Sequence, residues 1–193
     1  MSNTYNYHHP SPISQTHHTS KRGFTIVELL IVIVVVAIFA AISIVSYNGI
    51  QQRTNNTAII NAASQSLKVI EAYIATYGSY PSTASGYRCI TTQSGCATNV
   101  QPPDSVFTAN MAMIGTLPAS IPKSSDNRYG LAYEYNATTV INGVSQPARL
   151  RYWLFGIDQQ CGLSGVQGYN GNDMSTSKTL CIVTIPGPAD GGV

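Results

Sequence analysis

The chain has little charge. Only 9% of its 193 residues are Asp, Glu, Lys or Arg, whereas an average soluble domain has roughly 25%. Lys21 and Arg22 are two of the ten basic residues, so eight basic and eight acidic side chains remain from Phe24 onwards. This balanced remainder predicts no basic patch for nucleic acid. The many small polar residues are typical of an exported surface rather than of a cytosolic enzyme.

Histidine is missing from most of the chain. Without it, residues 24–193 cannot form Ser–His or Cys–His nucleophile pairs or most transition-metal sites. We therefore expect no enzyme activity, no metal and no cofactor. The four histidines lie among polar residues without preset ligand geometry, so we interpret residues 1–20 as a disordered segment rather than a metal site. They are His8, His9, His17 and His18.

Cysteine occurs only in the distal half and never in a Cys-X-X-Cys spacing, so zinc and redox motifs find no support. Four cysteines allow three pairings. In an oxidising compartment we expect them to pair, with free buried thiols as the alternative. We favour Cys89–Cys96 and Cys161–Cys181, because each bond then closes a local loop.

Glycine and proline are absent from residues 24–48, and every residue from Leu29 to Val45 except Ser43 is apolar. Counted from Phe24, the run is long enough to cross a membrane, which takes about 20 residues. Its β-branched residues would favour a strand in water. A single strand in lipid leaves its backbone groups unpaired, so we predict a helix.

The small residue Gly23 and the cations Lys21 and Arg22 lie before this run. An ordinary secretory signal has its cleavage site after the apolar core. Here the apolar run would instead be kept. The two cations predict that the N-terminal side stays in the cytoplasm while the rest of the chain crosses the membrane.

The helical pattern continues to residue 77. Gly49 is a candidate bend, because glycine costs about 1 kcal/mol relative to alanine inside a helix. Gly78 is a suitable helix end, and Pro81 prevents a restart. Apolar residues recur at intervals of three and four, which predicts one buried stripe. Its members are Ile59, Ala63, Leu67, Ile70, Ile74 and Tyr77.

The remaining residues predict a small sheet. We expect loops at 82–127, strands at 128–135, 137–141, 148–157 and 179–185, and a turn at Asn142-Gly143. Three or four antiparallel strands would pack on the amphipathic half of the helix, giving an α+β fold. Residues 158–178 would form a long loop, in which residues 170–173 are interpreted as a turn rather than a calcium site. Tyr129, Tyr133 and Tyr135 share one face of a predicted strand, and we expect them to take part in core or subunit packing rather than in a binding surface. Trp153 is a candidate core residue.

The run Lys21-Arg22-Gly23-Phe24-Thr25-Ile26-Val27-Glu28 resembles the processing site of type IV prepilins and of the related pseudopilins of type II secretion. Tyr77-Gly78-Ser79-Tyr80-Pro81 is similar to the segment that ends the long helix in that superfamily. The resemblance covers residues 21–81. A kink-forming proline that many pilins carry in the first half of the helix is absent, and the leader is longer than the shortest ones.

The resemblance implies a division of the chain into a leader (1–23, cleaved), a transmembrane or filament-core half of the helix (24–48), an amphipathic half (49–78) and a globular head (79–193). A prepilin peptidase would cut between Gly23 and Phe24, and Phe24 would become an N-methylated terminus. Glu28 would pair with the amine of a neighbouring Phe24. An inner-membrane assembly platform, copies of the chain and other pilins would be its partners.

The resemblance implies a pilus subunit for adhesion, motility or DNA uptake, held in the cytoplasmic membrane before assembly and found in an extracellular filament afterwards. A pseudopilin of a secretion system is the alternative. Two further classes compete with both. An anchored enzyme would need a catalytic group, and nothing places Glu134 and Asp158 together. An anchored receptor that never polymerises would need neither Gly23 nor Glu28.

Overall fold

The computed structural model describes residues 23–83, 86–91, 96, 100, 102–123, 130–141, 144–164, 171–173 and 177–187. The expected leader, up to residue 22, lies outside the described residues, as do Tyr129, Asn142, Gly143 and Asn170. The chain divides into two compact units, residues 1–44 and residues 45–193.

Helix α1 covers Ile26–Tyr77 and contributes to both units. It starts two residues after the predicted Phe24 and continues without interruption through Gly49. The helix ends at Tyr77, as the sequence predicts. Gly78 has a φ of 67°, and its N–H donates to the Ile74 carbonyl at 2.8 Å. This left-handed turn suits glycine and satisfies a carbonyl that the last helical turn would leave unpaired.

One side of α1 is buried in its second half, where Gln52 is the first half-buried residue and Asn56 the first buried one. Four members of the predicted stripe (Ile59, Ala63, Ile70 and Ile74) are buried, and Leu67 is half-buried. The prediction for Tyr77 is wrong, since its side chain is 48% exposed and its ring contacts Tyr73 instead. Asn56, Ala62 and Ser66 are also buried, which apolar spacing alone does not reveal.

Asn56 joins α1 to the sheet. Its Oδ1 accepts the Phe155 N–H at 2.8 Å, and its Nδ2 donates to the Phe155 carbonyl at 3.0 Å. Gln52, one helical turn earlier, donates to the same carbonyl at 2.9 Å. On one side, Phe155 pairs with Lys178 of a neighbouring strand. On the other side, it lies beyond Tyr152, the last residue of its strand that pairs with the other neighbour. The Asn56 carboxamide therefore takes the place of a missing strand partner, which explains why a polar side chain is buried there.

The sheet has five antiparallel strands in the order β1-β2-β5-β7-β6. The three long ones follow the predicted runs: β2 is Leu131–Tyr135, β5 is Ala148–Phe155 and β7 is Lys178–Thr184. The α+β architecture is thus confirmed. The count of three or four strands is wrong because β1 (Arg88–Cys89) and β6 (Gly171–Asp173) are too short to leave a pattern in the sequence.

The predicted strand at 137–141 does not join this sheet. Only Val140–Ile141 forms a strand, β3, and it pairs with β4 (Val144–Ser145) in a separate hairpin. Residues 137 and 138 form a turn. The prediction of a turn is also wrong for residues 171–173, because they form β6, which pairs along the edge of β7.

A short helix was missed in the region predicted to be loops. Helix α2 is Ser105–Ala112, and the Asp104 carboxylate caps it by accepting the N–H groups of Val106 and Phe107 at 2.9 and 3.1 Å. An aspartate directly before a helix is the usual signal of such a cap. The helix buries Phe107, whose ring stacks on Tyr133 with 4.9 Å between centroids.

The two faces of the sheet have different cores. Toward α1, the buried residues Leu131, Tyr133, Leu150, Tyr152 and Leu154 pack in the main core. The Tyr133 hydroxyl donates to the Pro81 carbonyl at 3.0 Å, and the Tyr152 hydroxyl donates to the Cys161 carbonyl at 2.6 Å. Burial raises the pKa of both hydroxyls above the ordinary tyrosine value.

On the opposite face, Trp153 is buried with Cys89, Val100 and Ala132. Next to this cluster, Arg149 forms an ion pair with Glu134, and the Arg151 guanidinium lies 3.7 Å from the centre of the Tyr87 ring. Burial lowers the pKa of Arg151. Glu134 is thus committed to an arginine and not to a second carboxylate.

Two disulfide bonds connect Cys89 with Cys96 and Cys161 with Cys181. The first spans seven residues beside β1, and the second spans 20 residues from the segment after β5 to the middle of β7. Cys181 is fully buried in the main core and Cys89 in the second cluster. Each bond therefore anchors a loop segment to a different face of the sheet.

Candidate processing and assembly site

The short non-helical segment directly before α1 consists of Gly23, Phe24 and Thr25. Phe24 is 85% exposed. A Cβ atom added to Gly23 would meet no other atom within 4 Å, so the backbone on both sides of the Gly23–Phe24 peptide bond is open. An enzyme that cleaves a peptide bond needs such access, and the missing side chain of glycine allows close approach.

The side chains of Thr25 and Glu28 cap the start of helix α1. The Thr25 N–H and hydroxyl donate to Glu28 Oε2 at 2.8 and 2.7 Å, and the Glu28 N–H donates to the Thr25 Oγ1 at 3.2 Å. This reciprocal arrangement is a capping box, which satisfies N–H groups that have no partner within the helix. It explains why α1 begins at Ile26 and not at Phe24.

Thr25 is a functional residue of the helix start for which no role was predicted. The spacing Thr-X-X-Glu just before an apolar run is a recognised signature of a helix start, so the signal was present in the sequence. Glu28 uses only one of its two oxygens in this box. Among the described residues, Oε1 accepts no hydrogen bond, although a carboxylate has room for several.

The helix that follows carries apolar side chains on every side. All residues from Ile26 to Ile44 are exposed within their unit. Ser43, the one polar residue in the apolar run, donates its hydroxyl to the Phe39 carbonyl at 2.8 Å, so its polar group is satisfied inside the helix. By length and composition, α1 is the one helix among the described residues that qualifies to span a membrane.

The described residues of the second unit provide no obvious reaction centre. A cavity of about 480 Å³ lies between α1 and the end of β7, and Glu71 is the one ionisable side chain among its lining residues that the structure describes. Within the described ranges, no three His, Cys, Asp or Glu side chains are grouped so that they could hold a metal ion.

The family model described as the prokaryotic N-terminal methylation motif matches residues 18–44. This range contains Gly23, Phe24, Glu28 and the exposed apolar helix. The match therefore covers the same segment that the geometry singles out, and it says nothing of the sheet.

A fimbrial protein of Neisseria meningitidis serogroup A / serotype 4A is 35% identical over 99 residues, which are 49% of this chain and 58% of that protein. The chain thus spans less than two thirds of the relative's length. No solved structure matches the chain. The resemblance to type IV prepilins, drawn from residues 21–81, is confirmed by the family model and the fimbrial relative together.

Proposed function

We propose that this type IV pilin-like chain is a prepilin whose mature form, starting at Phe24, is a structural subunit of a type IV pilus or similar filament. One observation carries the proposal above the others. A helical segment with apolar side chains on every side directly follows Gly23-Phe24-Thr25 and the carboxylate of Glu28. Such a segment needs lipid or other apolar helices around it, and a filament core provides the second.

Removal of residues 1–23 would create a positive charge where the precursor has a neutral peptide bond. The new amine of Phe24 would be methylated. It would lie four residues before Glu28, whose Oε1 is unused. A carboxylate at membrane depth costs about 2.5–3.5 kcal/mol unless it has a partner. The amine of a neighbouring subunit is a suitable partner, and the capping box need not open to accept it.

Before assembly, the subunit would reside in the cytoplasmic membrane with a single span and its C-terminal head outside. The domain boundaries follow from this proposal: a leader at 1–23, a membrane and filament-core segment at 24–48, an amphipathic segment at 49–78 and a head at 79–193. The partners would be a prepilin peptidase, an inner-membrane assembly platform, further copies and other pilins. Adhesion, motility and DNA uptake are the candidate roles of the filament.

The two disulfide bonds favour a pilin over a pseudopilin. Both bonds need an oxidising compartment, and they anchor loops on two faces of the sheet. Pseudopilins of the major kind often use calcium for that purpose. Covalent links within the subunit are a greater advantage to the stability of a filament exposed to the surroundings of the cell than to that of a filament confined to the periplasm.

The proposal can be tested at Glu28 by separating its charge from its cap. Glu28→Gln keeps a side chain that can complete the capping box but removes the charge. Filaments sheared from the cells would be quantified against total subunit. We expect a loss of about tenfold or more, because a hydrogen bond to a charged group contributes about 1.5–3 kcal/mol and tenfold corresponds to about 1.4 kcal/mol.

Two further variants serve as controls. Thr25→Ser keeps the hydroxyl and should leave the filament yield unchanged, while Glu28→Val should lose both cap and charge and assemble at least as poorly as Glu28→Gln. All variants should fractionate with membranes, since the apolar run is intact. A normal filament yield for Glu28→Gln would contradict the proposed pairing with Phe24.

A further inference from the structure

We propose that Asn136 is the acceptor of an N-linked oligosaccharide. Asn136-Ala137-Thr138 is an Asn-X-Thr motif whose middle residue is not proline, which is the acceptor pattern for N-glycosylation on surface loops of exported proteins. The inference rests on the proposed function in one respect, namely that the head reaches the outer side of the membrane.

The motif lies in a turn with its side chains exposed. Asn136 directly follows β2, and all three residues of the motif are exposed. The turn is fixed at both ends: the Asn136 N–H donates to the Pro147 carbonyl at 2.8 Å, and the Thr139 N–H donates to the Asn136 carbonyl at 3.0 Å. A transferase would therefore meet a preformed acceptor on the surface and need not unfold the sheet.

Within the turn, threonine and asparagine already contact each other. Asn136 Oδ1 accepts the Thr138 N–H at 3.1 Å and the Thr138 hydroxyl at 2.8 Å. A backbone N–H can only donate, so the carboxamide atom that faces it must be the oxygen. The Nδ2 atom then points away from these donors, and it has no hydrogen-bond partner in the part of the chain that the structure describes. Nδ2 is the atom to which a glycan is attached.

The chain contains a second Asn-X-Thr motif, Asn55-Asn56-Thr57, which serves as an internal comparison. It lies inside α1. The Thr57 hydroxyl donates to the Arg53 carbonyl at 2.9 Å, and Asn55 Oδ1 accepts from Gln51 at 3.1 Å. Threonine and asparagine are therefore directed to other partners in a continuous helix. The structure favours modification at Asn136 and not at Asn55.

The proposed reaction is a glycosyl transfer from a polyprenyl-diphosphate-linked oligosaccharide. Nδ2 of Asn136 would form a bond to the anomeric carbon of the sugar. The bond between that carbon and the diphosphate oxygen would break, and polyprenyl diphosphate would leave. The amide loses one proton to a base of the transferase, so no oxidant or reductant is needed.

The test uses the full chain recovered from its native cells. Trypsin cuts after Arg128 and Arg149, which yields a peptide of residues 129–149 that contains Asn136 but not Asn55. Mass spectrometry with fragmentation should place a saccharide on Asn136 in the wild type. The saccharide should disappear in Asn136→Gln and also in Thr138→Ala, which keeps the asparagine. Thr138→Ser and Asn55→Gln should retain it.

Two results would overturn the inference: an unmodified 129–149 peptide in the wild type, or a saccharide whose fragments place it on another residue of that peptide. The N-terminus of the same sample separates this failure from failure of the proposed function. If the chain starts at Phe24 and protease added outside the cells reaches the head, an unmodified Asn136 refutes only the glycosylation. If the chain starts at Met1 and the head is protected, both proposals fail.

Discussion

Residues 26–44 and residues 45–77 belong to the same helix and differ in what they bury. The first segment has apolar side chains on every side and buries none of them. The second has one buried side, which contains Ile59, Ile70 and Ile74 together with the polar Asn56 and Ser66. The comparison teaches that the arrangement of apolar residues around a helix, more than their number, indicates which surroundings the helix needs.

The sharpest way to separate the two segments is to remove the same side-chain atoms from each. Ile70→Ala deletes a fully buried side chain and should lower the unfolding free energy of the second unit by about 2–5 kcal/mol, because a cavity is left in its core. Ile38 is 55% exposed, so Ile38→Ala should change that free energy by less than about 0.5 kcal/mol.

Trp153 is the single tryptophan of the chain and is buried in the second unit. Its fluorescence during denaturation of the full chain in detergent therefore reports on that unit alone. An equal effect of the two alanine variants would mean that the first segment supports the head, and the distinction between the segments would be lost.

The two disulfide bonds should contribute different amounts to the unfolding free energy that Trp153 fluorescence measures. Replacing Cys161 and Cys181 by alanine opens a 20-residue loop and should lower the unfolding free energy by about 3 kcal/mol. Replacing Cys89 and Cys96 opens a seven-residue loop and should lower it by about 2 kcal/mol. The first loss is larger because a longer loop gains more entropy in the unfolded chain when its bond is removed. Limited proteolysis should cut first near Cys161 in the former variant. Unchanged resistance to protease would count against an anchoring role for that bond.

Asn56 and Asn55 are adjacent on α1 and offer a finer comparison. Asn56→Ala removes the side-chain acceptor of the Phe155 N–H and one of the two side-chain donors to the Phe155 carbonyl, which keeps Gln52. The loss should lower the unfolding free energy by about 1–3 kcal/mol. Asn55 bonds only to the exposed Gln51, so Asn55→Ala should stay within about 0.5 kcal/mol of the wild type. Equal values would show that the Asn56 carboxamide does not act as a strand partner.

The smallest expected effect concerns pH. Burial raises the pKa of Tyr133 and Tyr152 in the folded state, while an unfolded tyrosine ionises near pH 10. The stability they contribute is thus complete below about pH 10 and is lost as the pH rises further, with a slope of up to about 1.4 kcal/mol per pH unit for each group.

Tyr133→Phe and Tyr152→Phe should each reduce that slope while costing about 1 kcal/mol at neutral pH through the lost hydrogen bond. Chemical denaturation at a series of alkaline pH values would measure both quantities. A slope that is the same in the wild type and in both variants would show that these hydroxyls are not responsible for the alkaline loss of stability.

Much of the fold could be predicted because its signals are local. The end of α1 follows from Gly78, the apolar stripe from its spacing, and the long strands β2, β5 and β7 from their composition. The helix start could also have been found, since Thr25 and Glu28 have the spacing of a capping box. The short strands β1 and β6 could not, because two or three residues have no periodicity and their pairing depends on neighbours distant in sequence.

In the candidate site, too, local features could be predicted from the sequence and long-range contacts could not. Gly23, Phe24 and Glu28 are readable from a short contiguous motif, and the family model matches that stretch. The burial of Asn56 and the pairing of Arg149 with Glu134 depend on which residues the folded chain brings together. The ends of helices and strands can therefore be predicted well from the sequence, whereas polar contacts between residues distant in sequence are predicted poorly.

The most direct test of the central claim is to determine the N-terminus and intact mass of the protein recovered from its native cells. We expect a chain that starts at Phe24. Its mass should differ from that of its sequence by one added methyl group, by the four hydrogens lost in the two disulfide bonds, and by the mass of any glycan. A chain that starts at Met1, or one cut after the apolar run, would contradict the account. The segment from Gly23 to Glu28 would then be neither a processing site nor an assembly site.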